Sequence, residues 1–351
     1  MAEWLYEAGI GEARAALVED GAIIRAEREW PLDGPRRGAV MGARFGSALT
    51  GVRAVSVRLD FDHEAWLQPV PQGFGPGQRL VVEVVRERIF SPRGLKDPKV
   101  RAVDADTPLR DGPSMRERIA GTGLPVREPR AFDRDVLEEA GWGELIEEAA
   151  TGRVDFPGGR LWIEQTEAGV TIDVDGVLDR DKLAVAGATA AARSIGRLGL
   201  GGSVLIDLPS VSNRDARTRA AEAFDAAMAV PFERTAVNGF GLLQAVMPRP
   251  RPSLMEQIRG QPARAEALSL YRRAEREPLP GAIEFVAHID ACTHPGREGN
   301  DLELSRRRGT AVRWTPTQPY TPAGRGYVRR VLTLAEAADP PFDEDENDGE
   351  V

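Results

Sequence analysis

The sequence predicts an α/β chain, α+β overall, on three observations. Residues 1–100 carry short strand patterns separated by Gly-rich turns and no helical periodicity, which suits a small β-barrel. Over residues 170–175 apolar and polar side chains alternate strictly, the period of a half-buried strand. An Ala-rich helical segment then leads into Val204, Leu205 and Ile206, a continuous apolar run of the kind that suits a strand covered on both faces, so this region reads as a βαβ-like element.

In chain order, residues 15–24 (AALVEDGAII) predict a hairpin turning at Glu19, Asp20 and Gly21, and 38–41, 52–59 and 80–85 add strands. The Pro- and Gly-rich stretch 69–77 is a long turn. Residues 86–135 are rich in Arg, Pro and Asp. There Arg93, Lys96, Lys99 and Arg101 form the best candidate strip for phosphates, with a solvated loop as the alternative. Residues 133–151 are helical in pattern (Val136, Leu137, Ala140, Leu145, Ile146, Ala149), split by Gly141 and Gly143 and capped by Gly152. A helix over 182–198 has Leu183, Ala186, Ala190 and Ile195 as its packing stripe. Ser212 with Asp215 resembles a capping box that opens a helix running to about Met228; its Arg214, Arg217 and Arg219 face phosphates or solvent. A strand over 240–247 stops at Pro248, and 255–275 form one helix (Ile258, Ala263, Leu268, Leu270). Strands at 282–290 and 310–316, with a helical link at 302–308, make a small C-terminal α/β unit.

The alternation puts Asp173 and Asp175 on one non-core face, about 7 Å apart. Asp207 stands where the apolar run should end, and sites in open α/β sheets collect at the carboxyl ends of strands. If the two strands are neighbours, three carboxylates converge, and they repel one another unless protonated or bridged by a cation. An oxygen-only site of this kind suits Mg²⁺. The same residues also fit a turn former or helix N-cap, and two solvent-facing Asp on one strand also make a plain wet face.

These residues carry a resemblance. Gly158 and Gly159, then Thr166-Glu167-Ala168, then Thr171-Ile172-Asp173-Val174-Asp175, then Leu200-Gly201-Gly202 and Ile206-Asp207, stand in the order and spacing of a known pattern: a GG-strand, TEA, T-x-ID-x-N and LGG-x-x-x-IDF. That pattern belongs to the catalytic region of the ribonuclease E/G family. FGLLQAVMPRPRPSL at 240–254 echoes the family's FGL-x-E-x-x-R-x-R-x-x-PSL segment. The resemblance implies a DNase I-like α/β catalytic subdomain, preceded by an OB-type RNA-binding barrel and followed by a small domain that contributes to oligomerisation. It implies a Mg²⁺-dependent endoribonuclease that cleaves single-stranded RNA to a 5′-phosphate and a 3′-hydroxyl. Asp173 and Asp207 fall on the family's metal-binding carboxylates. Asp175 falls on a functional Asn and adds a negative charge to the catalytic set. Glu167 is a supporting carboxylate, Arg249 coincides with a family arginine, and Arg251 joins it as a candidate RNA contact. Trp66, in the family's GFL position (Ala65-Trp66-Leu67), is a candidate for stacking on a base, or else a core or rim residue.

The chain also departs from the family pattern. Met247 and Gly239 replace arginines, and 255–264 (MEQIRGQPAR) has no CPxC zinc link, so neither zinc nor a zinc-linked dimer is expected. About fifty residues replace the family's ribonuclease H-like insert, and RIAGTGLP (118–125) only faintly echoes its RTAG sensor, so dependable 5′-end sensing is not expected. A non-catalytic RNA-binding protein derived from the family is the rival reading, and a structural partner in an RNA-processing assembly is a third.

Composition sets outer bounds. The 351 residues include 46 Lys+Arg and 55 Asp+Glu for a formal charge of −9; removing the six acidic residues of the tail DEDENDGE (343–350) leaves −3. A near-neutral body without a basic arm argues against strong sequence-independent binding to nucleic acid through charge alone. Cys292 is the single cysteine, which excludes an internal disulfide and a CxxC site; His288 and His294 flank it at a spacing unusual for zinc. The N-terminal residues show no signal-peptide pattern and no apolar stretch reaches membrane-spanning length, so a cytoplasmic protein without a membrane partner is expected. The expected divisions are 1–100 (barrel), 101–152 (shortened linker), 153–254 (catalytic), 255–335 (small domain) and 336–351 (disordered acidic tail).

Overall fold

A computed structural model describes residues 1–30, 34–48, 54–60, 62–130, 133–211, 213–277, 281–317 and 327–331. The acidic tail lies outside them. Contacts divide the chain into two compact units, residues 1–8 with 12–262, and residues 9–11 with 263–351.

The first unit opens with β1 (Glu3–Gly9), β2 (Glu12–Glu19) and β3 (Ala22–Glu29). The β2–β3 turn is Asp20-Gly21, both at positive φ (51° and 79°), the pairing that two-residue hairpins favour. Then come β4 (Val40–Ala48), β5 (Val55–Leu59), β6 (Glu64–Leu67), β7 (Arg79–Arg86), the hairpin β8 (Ile89–Ser91) and β9 (Gly94–Lys96), β10 (Lys99–Val103), α1 (Met115–Ala120) and β11 (Val126–Arg127). Strands β10-β6-β5-β4-β7 close into a five-stranded barrel around Phe45, Val55, Val57, Leu67, Val82 and Val84, consistent with an OB-type barrel. The barrel is narrower than residues 1–100. Strands β1 to β3 belong to a separate sheet, in order β11-β1-β2-β3, because strand patterns alone do not state which neighbours a strand will pair with.

Gly141, at φ 96°, separates α2 (Val136–Glu139) from α3 (Trp142–Thr151), and Gly152 closes α3 in the left-handed conformation. The next sheet contains β12 (Arg153–Phe156), β13 (Gly159–Gln165), β14 (Val170–Gly176), β15 (Gly202–Asp207), β16 (Glu233–Arg234) and β17 (Leu242–Met247), with α4 (Arg180–Leu198) and α5 (Arg214–Ala227) between strands. Its order is β12-β13-β14-β15-β17-β16, with β14 and β15 parallel and the other pairs antiparallel.

Three expectations are corrected here. Leu205 is 38% exposed, so β15 is covered on one face only. The buried stripe of α4 runs through Leu183, Gly187, Ala191 and Ile195, while Ala186 and Ala190 are half-buried; a run of alanines offers little contrast to fix the helix phase. The N-cap of α5 is Asn213, whose side chain accepts from the backbone N–H groups of Asp215 and Ala216; Ser212 lies outside the described residues.

Two helices, α6 (Leu254–Gly260) and α7 (Pro262–Glu275), replace the single helix expected over 255–275. The break falls at Gln261 (φ −140°, ψ 64°), since a residue before proline is driven out of helical geometry. In the second unit β18 (Ala282–His288), α8 (Ile289–Cys292), α9 (Arg297–Arg308), β19 (Val312–Thr317) and β20 (Tyr327–Val331) give a sheet of order β19-β18-β20. Its core packs the rings of Tyr271, Phe285 and Trp314, and the Asp301 carboxylate accepts from Tyr271 Oη (2.6 Å) and Trp314 Nε1 (2.9 Å). Among the described residues no helix is long and apolar enough to cross a membrane.

Candidate active site

The parallel register of β14 and β15 sets Asp173 directly opposite Asp207. Neighbouring strands lie about 4.8 Å apart, and Asp175 follows on the same face about 7 Å along the strand. All three carboxylates are exposed, while Ile172, Val174 and Ile206 between them are buried beneath the sheet. Helix α4 packs directly under β14 because Gly187 has no side chain; a Cβ there would enter the methyl groups of Val174. The row continues to both sides. Trp162 of β13 faces Asp173, and Leu242 of β17 faces Asp207. At the same edge Asn238 builds a tight turn, its Oδ1 accepting from the N–H groups of Phe240 (2.9 Å) and Leu242 (3.0 Å), while the Ser210 hydroxyl donates to the Phe240 carbonyl (3.0 Å). That turn leaves the Phe240 ring 79% exposed beside the end of β15.

The charge here is uncompensated. Among the described residues none of the three carboxylates has an ion-pair partner. Arg160 stands opposite Asp175 in register, but its guanidinium pairs with Asp155 at 3.8 Å. Burial pushes the Asp173 carboxyl above its ordinary value, the charges of Asp175 and Asp207 push the same way, and the Val174 N–H opposes them. A proton or a cation relieves such a cluster. Among the described residues no group of three or more His, Cys, Asp or Glu stands arranged to hold a metal ion. Of the metals, Mg²⁺ is the one whose habit is to take one or two carboxylates and keep several waters, so Asp173 and Asp207 are the residues that could hold such an ion.

No family model and no curated protein matches the chain.

The remaining sequence candidates lie elsewhere in the first unit. Glu167 sits in the β13–β14 turn, beyond the amino end of β14, and pairs with Lys96 of β9. Gln165 Nε2 donates to the Phe90 carbonyl (3.0 Å), tying the β8–β9 hairpin to the same turn, with Arg93 exposed at its tip. Trp66 is half-buried on the outer face of the barrel opposite Lys99, whose ammonium is pushed down by burial and by the like charges of Arg86 and Lys96. Arg249 and Arg251 follow the end of β17 that pairs with Gly202, five residues from Asp207 and so about 17 Å away along the strand. Arg249 pairs with Glu256, and Arg251 with Glu27 at 3.5 Å. Both line a cavity of about 740 Å³ shared with Arg118, Glu27 and Glu87. Burial there pushes the Arg251 guanidinium down and the Glu87 carboxyl up. Burial also works to raise Glu27, but Arg251, Arg118 and Arg25 outweigh it and hold that carboxyl low. The structure thus brings Asp173, Asp175 and Asp207 together and leaves Glu167, Lys96, Arg93, Trp66, Arg249 and Arg251 outside that cluster.

Sequence reasoning misses Trp162, Asn238 and Phe240. The signal for Trp162 is in the chain: Leu161 and Ile163 are the inward pair of an alternating strand, so Trp162 must share the outer face with Arg160 and Glu164.

Proposed function

We propose that the chain is a Mg²⁺-dependent endoribonuclease of the ribonuclease E/G type, with a DNase I-like catalytic subdomain over 153–254, that hydrolyses phosphodiester bonds in single-stranded RNA. The observation that carries this reading is the direct pairing of Asp173 with Asp207 on adjacent parallel strands, with Asp175 on the same face. These are the three residues to which the resemblance would give the metal and catalytic roles. Asp173 and Asp207 would hold the ion, and Asp175 would add charge beside it. A bound Mg²⁺ supplies a positive charge that orients water and offsets the charge growing on the phosphate. The buried strands and α4 keep the two carboxylates at fixed spacing, which limits the reorganisation that catalysis requires.

Incubation of the protein with a 5′-labelled single-stranded RNA, in Mg²⁺ and in chelator, tests the proposal. Internal cuts in Mg²⁺ alone, leaving 5′-phosphate ends, are the expected result. RNA bound but never cut would replace the enzyme with a binding module.

A further inference from the structure

The open face of the β12–β17 sheet carries exposed apolar side chains next to its carboxylates. Trp162 is 39% exposed, Leu205 38% and Val246 50%. Trp162 faces Asp173 across the antiparallel ladder, a pairing that sets the two Cβ atoms about 5 Å apart on the same face. The indole has no aromatic or cationic partner among the described residues. Among the described residues three Phe and Trp rings are exposed, Phe74 in the barrel's β6–β7 turn, Trp162 and Phe240, and the last two flank the acidic row: Trp162 on the β13 side and Phe240 on the β17 side. A half-exposed Trp and a nearly free Phe give up apolar burial for no packing gain, and the Asn238 turn fixes the backbone that carries the second ring.

Resting on the reading above, we propose that Trp162 and Phe240 are the base-stacking residues of the Asp173–Asp207 site, seating the bases of single-stranded RNA on either side of the phosphate held there. The electrostatics call for such a device. Three carboxylates repel a polyanion, and the arginine closest in register, Arg160, is turned to Asp155. Affinity at this spot beyond what a bound cation supplies calls for a contact that does not depend on charge, and every base offers a π-face to an aromatic ring. Two rings flanking the row would also fix the path of the strand across the sheet, setting the scissile phosphate over Asp173 and Asp207. These are positioning residues; neither takes part in the bond change.

The test is a cycle between protein and RNA. Single-turnover cleavage and equilibrium binding of a single-stranded oligonucleotide are measured for wild type, W162A, W162F and F240A, with an intact oligonucleotide and with one carrying an abasic nucleotide beside the cut. W162A is expected to bind intact RNA about 5- to 150-fold more weakly, the factor equivalent to one lost stack of about 1–3 kcal/mol. Its cleavage rate at saturating RNA should fall as well, because the scissile phosphate loses its register over Asp173 and Asp207, and W162F should recover most of both. The abasic oligonucleotide should lose affinity for wild type and little further for W162A. The loss should change little between low and high salt, unlike a phosphate contact. Wild-type cleavage with W162A and F240A binding and cutting as well as wild type would overturn the inference and leave the nuclease reading standing. A wild type that neither binds nor cuts RNA would remove that reading and this inference together. A change from dimer to monomer in W162A with RNA affinity intact would reassign the face to contact between copies of the chain.

Discussion

Replacing Asp173 with Asn should make the metal-free protein more stable while removing its response to Mg²⁺. Asp173 lies one strand from Asp207 and two residues from Asp175, at about 5 and 7 Å, with all three side chains in water. At the dielectric of water those repulsions are worth about 0.8 and 0.6 kcal/mol, and physiological salt roughly halves each. The substitution therefore relieves about 0.7 kcal/mol, or roughly 1–3 °C in Tm for a unit of this size. Mg²⁺ acts in the opposite sense on the wild type, adding about 2.7 kcal/mol at one hundred times its Kd. Thermal unfolding in chelator and in Mg²⁺ should show the order inverting: D173N above wild type in chelator, below it in Mg²⁺. A D173N variant that melts lower in chelator, or gains as much from Mg²⁺ as the wild type, would refute both the repulsion and the metal assignment.

Two further predictions concern the first unit away from the acidic row. Glu27, 12% exposed and ringed by Arg251, Arg118 and Arg25, has its pKa held low in the fold. Its stabilisation is present above the unfolded value of about 4.3 and is lost as pH falls through the lower folded value. E27Q should cost about 1–3 kcal/mol at neutral pH in urea unfolding, because it leaves the half-buried Arg251 without its carboxylate and Arg118 with Glu29 alone, and should flatten the acid limb of stability against pH; an unchanged midpoint would show the arginines to be solvated. Gly152 caps α3 at φ +77°, and a Cβ there would press on the carbonyl oxygen of Ile163, whose N–H bonds back to Gly152 at 2.7 Å. G152A should lose about 2 kcal/mol or more by the same measurement, and a loss under about 0.5 kcal/mol would contradict that geometry.

Residues 170–175 and the glycines at 141 and 152 could be read from the chain because each reflects a local rule: period two for a strand with one wet face, and a left-handed residue at a helix end. The side-by-side placement of Asp173 and Asp207 was legible only as a condition, since pairing of β14 with β15 is a long-range choice that the intervening α4 makes available. What stayed hidden depends on neighbours. Leu205 reads as part of a buried run, yet its face of the sheet is left open among the described residues. Arg249 and Arg251 fall near Asp207 in motif terms, but antiparallel β17 carries them to the far end of the strand. The limits of the barrel and the break at Gln261 likewise come from strand partners and from Pro262, not from hydrophobic period.

The most direct test of the central claim is single-turnover cleavage of single-stranded RNA by D173N and D207N, with RNA affinity measured on the same samples. The pairing of the two carboxylates around one ion predicts that each substitution abolishes Mg²⁺-dependent cutting while RNA affinity stays within about 2-fold of wild type, since metal-bound chemistry and base contacts are separate. Cleavage that persists in either variant would contradict the assignment of Asp173 and Asp207 as the metal-holding pair.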